Sequence, residues 1–338
     1  YNRTTSDILT TANLPATLGA DAPYENMGTI QTKGWELAID YRHTFKNGLH
    51  FGVTASVADD KTEVTKWTYN TKIPSYGATG WWDKSAHKEG MVLGDIWGLQ
   101  FDRFLTEDDF NADGSLKAGL PDQTKVFPAG YQFAPGDVLY KDLDNNGEIV
   151  KQTNTNDKGD LSVIGNALPR LQFGLNLDAA WKGFDISMFF QGVAKRKLWA
   201  AGNQVLPGFT TGEPFYKGAE DYWTPENTDA FYPRPMDYKQ SASGNYSVND
   251  RYLLNMAYLR LKTFTVGYSL PKVWLSKFKV QGLRVYFTGE NLFTIDGVKP
   301  AIDPEIGIRT ASGKSDQRNF GRSYPYQKTV SFGIQLSL

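Results

Sequence analysis

The chain has 338 residues, a formal net charge of −1 and 40% hydrophobic residues. That balance gives no reason to invoke nucleic acid, and the lack of cysteine removes disulfides, thiolate metal sites and cysteine nucleophiles. Mean hydropathy is −0.45, and no apolar run reaches the roughly 18 residues of a transmembrane helix. A membrane barrel stays open, because its strands carry apolar residues only at alternate positions.

The chain begins at Tyr1 without a basic or apolar export segment, so the expectation is a mature chain or, preferably, a fragment. Tyr1–Leu9 reads as the end of a strand, and residues 10–26 as a loop. Trp35, Leu37, Ile39 and Tyr41 then alternate with Glu36, Ala38, Asp40 and Arg42. Lys46, Asn47 and Gly48 form a turn, with Asn-Gly expected to supply the positive φ angles of a tight hairpin. Leu49, Phe51, Val53, Ala55 and Val57 alternate in the returning strand.

Residues 68–90 are irregular, 94–104 read as a strand, and 106–168 read as a loop rich in acids, Pro and Gly. The clearest hairpin follows. Leu171, Phe173, Leu175, Leu177, Ala179 and Trp181 share one face; Arg170, Gln172, Gly174, Asn176 and Asp178 share the other. After a Lys182-Gly183 turn, Phe184, Ile186, Met188 and Phe190 alternate with Asp185, Ser187 and Gln191. Period-two alternation is the mark of a two-faced sheet. These runs exceed a usual globular strand and match a tilted strand crossing hydrocarbon.

Residues 198–250 form another long, aromatic-rich connection. Arg251–Leu270 returns to strand, with an apolar phase slip between Leu261 and Phe264 that suggests a β-bulge. Pro271–Val280 is a short turn with one helical turn in it. A strand over 283–288, a loop over 294–323 and a terminal strand with Val330, Phe332, Ile334, Leu336 and Leu338 on one face complete the chain.

Connections thus alternate between short and long, as in outer-membrane barrels with short periplasmic turns and long extracellular loops. Short turns must be separated by an even number of crossings. Between Gly48 and Lys182 the candidates are 49–60, 94–104 and 170–181, an odd number. One strand is therefore missing or spurious, with Lys61–Tyr76 and Val126–Lys141 as candidates for a missing one. About ten strands are expected in all.

No catalytic constellation is visible: the histidines are scattered, and no Ser-His-Asp set or His-Glu-x-x-His motif occurs. The expectation is a protein that is not an enzyme. Asp142–Ile149 resembles the first half of a calcium loop, with Asp142, Asp144, Asn146 and Glu148 as candidate ligands and Gly147 at the sharp turn. The expected acidic closing ligand is Thr153 here, so Asp157 or Asp160 would substitute. The alternative is a solvated Asx-rich turn. Calcium is the one candidate cofactor.

The loop aromatics Trp67, Tyr69, Tyr76, Trp81, Trp82, Tyr222, Trp223, Phe231, Tyr232 and Tyr238 either stack on ligands or partners or pack within their loops. Trp81, Trp82, Tyr222, Trp223 and Tyr232 are the chosen candidates for contact. Glu36, Asp40, Gln172, Asn176, Asp178 and Asp185, with Gln191 and Arg284, would line a wet lumen. The terminal Ser331–Leu338, with Gly333, Leu336 and Leu338, resembles the insertion signal read by the barrel-assembly machinery.

Several stretches together resemble the C-terminal barrel portion of SusC-like TonB-dependent outer-membrane transporters of Bacteroidota. They are Glu25–Leu37 (ENMGTIQTKGWEL), Pro135–Gly147 (PGDVLYKDLDNNG), Ile164–Pro169, Phe184–Gly192, Arg251–Pro271, Leu283–Leu292 and the terminal strand. The resemblance implies an all-β fold: an antiparallel transmembrane β-barrel segment of a plugged 22-strand type, whose plug and TonB box lie outside this sequence. It implies a cell outer-membrane location, uptake of an oligosaccharide or peptide, a SusD-like surface lipoprotein partner, TonB acting through the plug region, and contact with lipid and the assembly machinery. Residues 151–156 depart from the family, whose calcium-like loop is usually followed closely by acidic residues. The alternatives are a secreted carbohydrate-binding β-sandwich, or a transporter captured within another outer-membrane complex.

Overall fold

The computed structural model describes residues 1–11, 23–68, 89–151, 159–200, 202–209, 215–236, 244–276, 280–299, 302–305 and 324–338. Its strands, in chain order, are β1 (Asn2–Thr11), β2 (Tyr24–Thr44), β3 (His50–Trp67), β4 (Asp95–Gly98), β5 (Phe101–Phe104), β6 (Val138–Tyr140), β7 (Ser162–Asn166) and β8 (Arg170–Trp181). They continue with β9 (Phe184–Lys195), β10 (Lys197–Leu198), β11 (Leu254–Asn255), β12 (Tyr258–Ser269), β13 (Gly282–Glu290), β14 (Thr294–Asp296) and β15 (Thr329–Ser337). One helical turn, α1 (Lys272–Leu275), lies between β12 and β13.

Eight strands form one wall in the order β1-β2-β3-β8-β9-β12-β13-β15, with β14 paired to β12. Every neighbouring pair is antiparallel, so the wall is a simple meander. Its connections alternate: long after β1, β3, β9 and β13, short after β2, β8 and β12. All long connections therefore leave from one end of the wall.

The expectation of about ten strands gives way to this order. The odd crossing count came from residues 94–104, which are not wall. They split into β4 and β5, which pair with β7 and β6 inside the loop assembly. Residues 61–67 extend β3, and 138–140 are the short β6. Thr294–Asp296, read as loop, pairs with β12. The slip in β12 is real, with a register shift between Leu261 and Thr263 against β9.

Turn chemistry sets the short ends. Lys182 (φ 49) and Gly183 (φ 89) both take the left-handed region, as a two-residue type I′ hairpin requires. At the β2–β3 turn only Gly48 (φ 82) does so, which corrects the expectation for Asn47. There Asn47 instead accepts the Leu49 N–H through its side chain at 3.1 Å.

Cross-strand register sorts the faces. One row runs Ile39–Ala55–Leu175–Phe190–Leu261, the next Tyr41–Val53–Leu177–Met188–Phe264. A third runs Phe51–Ala179–Ile186–Val266–Phe287–Phe332. The opposite face carries Asp40–Thr54–Asn176 and Arg42–Gly52–Asp178–Ser187–Thr265–Thr288–Ser331. The apolar face lies bare: Ile334 is 73% exposed and Phe184 59%. Among the described residues no second sheet covers it.

The core sits in the loops instead. One cluster joins Ile96, Trp199, Leu206, Tyr232, Tyr252 and Met256; a second joins Leu99, Phe104, Val126, Val138, Tyr140 and Trp223. The 21-residue β2 and 18-residue β3 exceed the ~10 residues of a barrel span, and the end of β3 bonds this assembly, with Val64 N donating to Met91 O at 2.8 Å. An ion cluster pins the last long connection to β12. The buried Arg260 donates to Asp303 at 2.7 Å and to Thr294 Oγ1 at 2.8 Å, while Lys262 bonds Glu305 at 2.9 Å.

In a bilayer-embedded wall, Leu175→Arg is expected to cost about 2–4 kcal/mol, and Asn176→Arg on the other face much less. Equilibrium unfolding of both variants from lipid vesicles checks this. Equal costs, or the reverse order, would show the faces to be misassigned.

Candidate functional site

The connections after β3, β9 and β13 build a folded assembly at one end of the wall, held by buried polar hubs. Asp137 is fully buried. It accepts hydrogen bonds from Tyr131 Oη (2.8 Å), Ala134 N (2.9 Å), Arg234 Nε (2.8 Å) and Asn245 Nδ2 (3.0 Å). Asn245 in turn accepts from Val138 N at 2.7 Å. Gln123 spans β6 by donating to Val138 O at 2.8 Å and accepting from Tyr140 N at 3.2 Å. Asp137 and Asn245 thus join segments more than 100 residues apart, while Gln123 ties its own turn to β6, satisfying groups that would be costly to bury unpaired.

On this base sits a cavity of about 610 Å³, lined by Phe215, Tyr216, Tyr222, Tyr232 and Tyr246 with Pro207, Pro233 and Pro235. Lys217 and Glu220 add charge to the lining. The size and the mix of aromatic walls with few polar groups suit a small-molecule or side-chain subsite. Tyr222 is 40% exposed and reachable from solvent. Tyr232 is buried; desolvation pushes its phenol up to about 12, so it stays neutral and donates to Val205 O at 3.1 Å.

The sequence-chosen aromatics therefore separate. Tyr222 and Tyr232 line one cavity. Trp223 is 7% exposed and belongs to the loop core, which corrects its selection as a contact residue. Trp81 and Trp82, with Tyr69, Tyr76 and Tyr238, lie outside the described residues. Sequence reasoning missed Phe215, Tyr216 and Tyr246; their signal was the density of aromatic and Pro residues over 207–246.

The calcium-like loop turns as expected, with Asn145 (φ 58) and Gly147 (φ 85) in the left-handed region. Carboxylate oxygens of Asp142, Asp144 and Asp160 lie within 4.8 Å of one another. Asp160 is held in place by Leu143 N and Val150 N, each 2.7 Å away. Desolvation, together with the Asp142 and Asp160 carboxylates, pushes Asp144 above the usual carboxylate range. The other two candidates are engaged elsewhere: Glu148 pairs with Lys125, and Asn146 Oδ1 accepts Glu148 N at 2.8 Å. Asp157 lies outside the described residues.

Glu36, Asp40, Gln172, Asn176, Asp178 and Asp185 all fall on the polar face of the wall. They form a bonded surface. Thr54 donates to Asp40 at 2.6 Å, His50 Nε2 lies 3.5 Å from Asp178, and Arg284 Nε donates to Asp185 at 2.9 Å. Leu336 lies on the apolar face of β15 opposite Leu283, and Leu338 ends the chain 82% exposed. Gly333 faces the other way, opposite Tyr286, where an added Cβ would meet the Tyr286 ring at 2.2 Å.

Removing the central hub tests the loop assembly. Asp137→Ala is expected to cost of order 3 kcal/mol, since Arg234 loses its buried partner. Limited proteolysis should then cut within residues 123–250 while the wall stays intact. Unchanged protection would contradict the role given to Asp137.

No protein-family model matches the chain. It is 26% identical over 348 residues to the TonB-dependent receptor P3 of Formosa agariphila, covering 99% of this chain and 31% of that protein. It is 22% identical to the TonB-dependent receptor SusC of Bacteroides thetaiotaomicron, covering 100% of this chain and 29% of that protein. Among solved structures, the RagAB peptide transporter superposes with a TM-score of 0.67 at 20% identity, over 99% of this chain and 32% of that chain. The RagAB peptide importer in its open-open state gives 0.64 at 20% identity, over 100% of this chain and 32% of that chain. The chain spans about a third of the length of the curated relatives it matches. Meander, sorted loops and end-to-end similarity liken the chain to a portion of the SusC-like TonB-dependent transporters.

Proposed function

We propose that the chain supplies part of the wall and the loop assembly of a TonB-dependent nutrient importer in the outer membrane. The observation that carries this reading is the eight-strand meander whose apolar face lies bare while every long connection leaves from one end. The apolar face meets lipid and the polar face lines the lumen. A wall with free edges at β1 and β15 is costly in hydrocarbon, so further strands of the complete polypeptide close it. The work is transport, driven by TonB through a plug, with no covalent step assigned to this chain. A SusD-like lipoprotein meets the long loops from outside. The terminal strand serves the barrel-assembly machinery.

The cargo is an oligosaccharide or a peptide, and the aromatic cavity is its contact on the loops. Stacking on Tyr222 suits a sugar face or an apolar side chain. Deleting the gene should abolish growth of the host on one of the two nutrient classes as sole source. Complementation should restore it, and collapse of the proton-motive force should stop uptake. Uptake that survives that collapse would contradict the reading. Tyr222→Ala is expected to weaken cargo binding with the fold intact, whereas Trp223→Ala should cost about 3–5 kcal/mol of loop stability.

A second reading concerns the carboxylates Asp142, Asp144 and Asp160, whose grouping supports a bound calcium ion. These three residues, rather than Asn146 and Glu148, would hold it. Calorimetric titration with calcium should detect one site. Asp144→Asn should weaken it at least about tenfold, as expected for altering a metal's immediate surroundings. Heat absent in the wild type would dismiss the ion in favour of a hydrogen-bonded Asx turn.

A further inference from the structure

We propose that the rim formed by the three short turns is a docking surface for anionic phospholipid headgroups. The inference rests on the membrane reading of the wall. Each short turn sets a lysine beside an exposed aromatic. Lys46 follows Phe45, Lys182 follows Trp181, and Lys272 stands two residues before Trp274. Phe45 is 46% exposed, Trp181 43% and Trp274 61%.

The three turns are laced into one surface. Trp181 Nε1 donates to Asn47 O at 3.2 Å, tying the second turn to the first. Ser269 N donates to Gly183 O at 2.8 Å, and the Phe184 and Tyr268 rings lie 4.5 Å apart, tying the second to the third. Successive turns of a meander stand two strands apart, roughly 10 Å, so the lysines form a row.

The row has one sign. No Asp or Glu occurs in residues 45–49, 181–184 or 269–276. The nearby carboxylates Asp178 and Asp185 lie on the opposite face and pair with His50 and Arg284. Lys182 Nζ sits 4.5 Å from the Trp181 ring centroid, so ammonium and ring act as one amphipathic unit. The register puts Trp181, Phe184 and Tyr268 in one row on the apolar face, in line with lipid. Rings at the hydrocarbon boundary hold the ammonium groups at the level of the phosphates. A zwitterionic headgroup would leave that charge uncompensated; an anionic one matches it.

The test uses the complete transporter in nanodiscs, with spin-labelled phosphatidylglycerol and phosphatidylcholine as probes. The wild type should hold phosphatidylglycerol preferentially at low ionic strength, and salt should erode the preference. The triple variant K46Q/K182Q/K272Q should lower it by about fivefold or more, and the corresponding triple Lys→Arg variant should keep it. Heat-modifiable migration on gels verifies that each variant forms its barrel. An integrated wild type without preference, or a preference that survives the glutamine variant, overturns the inference while leaving the membrane reading in place. A wild type that stays out of the bilayer overturns both.

Discussion

The whole arrangement depends on one constraint, the shared register of the antiparallel ladder. Because side chains alternate along a strand, a slip of one residue would turn a strand's apolar set to the wrong face. Here the rows stay in phase from β2 to β15, so Ile39, Leu175 and Phe190 align across four strands, and Val266, Phe287 and Phe332 across three. The bulge between Leu261 and Thr263 keeps that phase where the sequence of β12 slips. Hydrocarbon enforces the same ladder, since it offers no partner to an unpaired backbone group.

This arrangement divides the chain into two kinds of stability. On the proposed membrane reading the wall needs no core of its own, because lipid buries its apolar side chains and neighbouring strands pair its backbone. The loop assembly stands in water and must fold like a soluble domain. Its apolar clusters do so, but its specificity comes from polar hubs. Asp137, Gln123 and Asn245 are buried; Asp137 and Asn245 join remote segments, and Gln123 fixes β6 to the preceding turn. Arg260 performs the same service where the assembly meets the wall.

Much of the wall was legible in the sequence because period-two alternation is local. Leu171–Trp181 and Phe184–Phe190 declare their faces without any tertiary information. The loop assembly was not legible in this way. Residues 94–104 look like a wall strand by composition, and only their pairing with 138–140 and 162–166 shows otherwise. The parity of the short turns demands one strand more or fewer there but does not say which. The candidate site was legible in part. Asp142 and Asp144 follow from the loop motif, but whether Asp160 joins them depends on a fold that brings position 160 back, 16 residues later. Trp223 and Tyr222 are adjacent and chemically alike, yet one is core and the other lines a cavity; composition carries no such distinction.

The claim that matters most is that one face of this wall meets lipid. The chain contains no cysteine, so single cysteines can be placed at successive positions from Leu171 to Trp181 and spin-labelled in the reconstituted transporter. Accessibility to oxygen, which partitions into lipid, is expected to peak at Phe173, Leu175, Leu177 and Ala179. Accessibility to a water-soluble nickel complex should peak at Gln172, Asn176 and Asp178. A flat profile, or the opposite phase, would contradict the account.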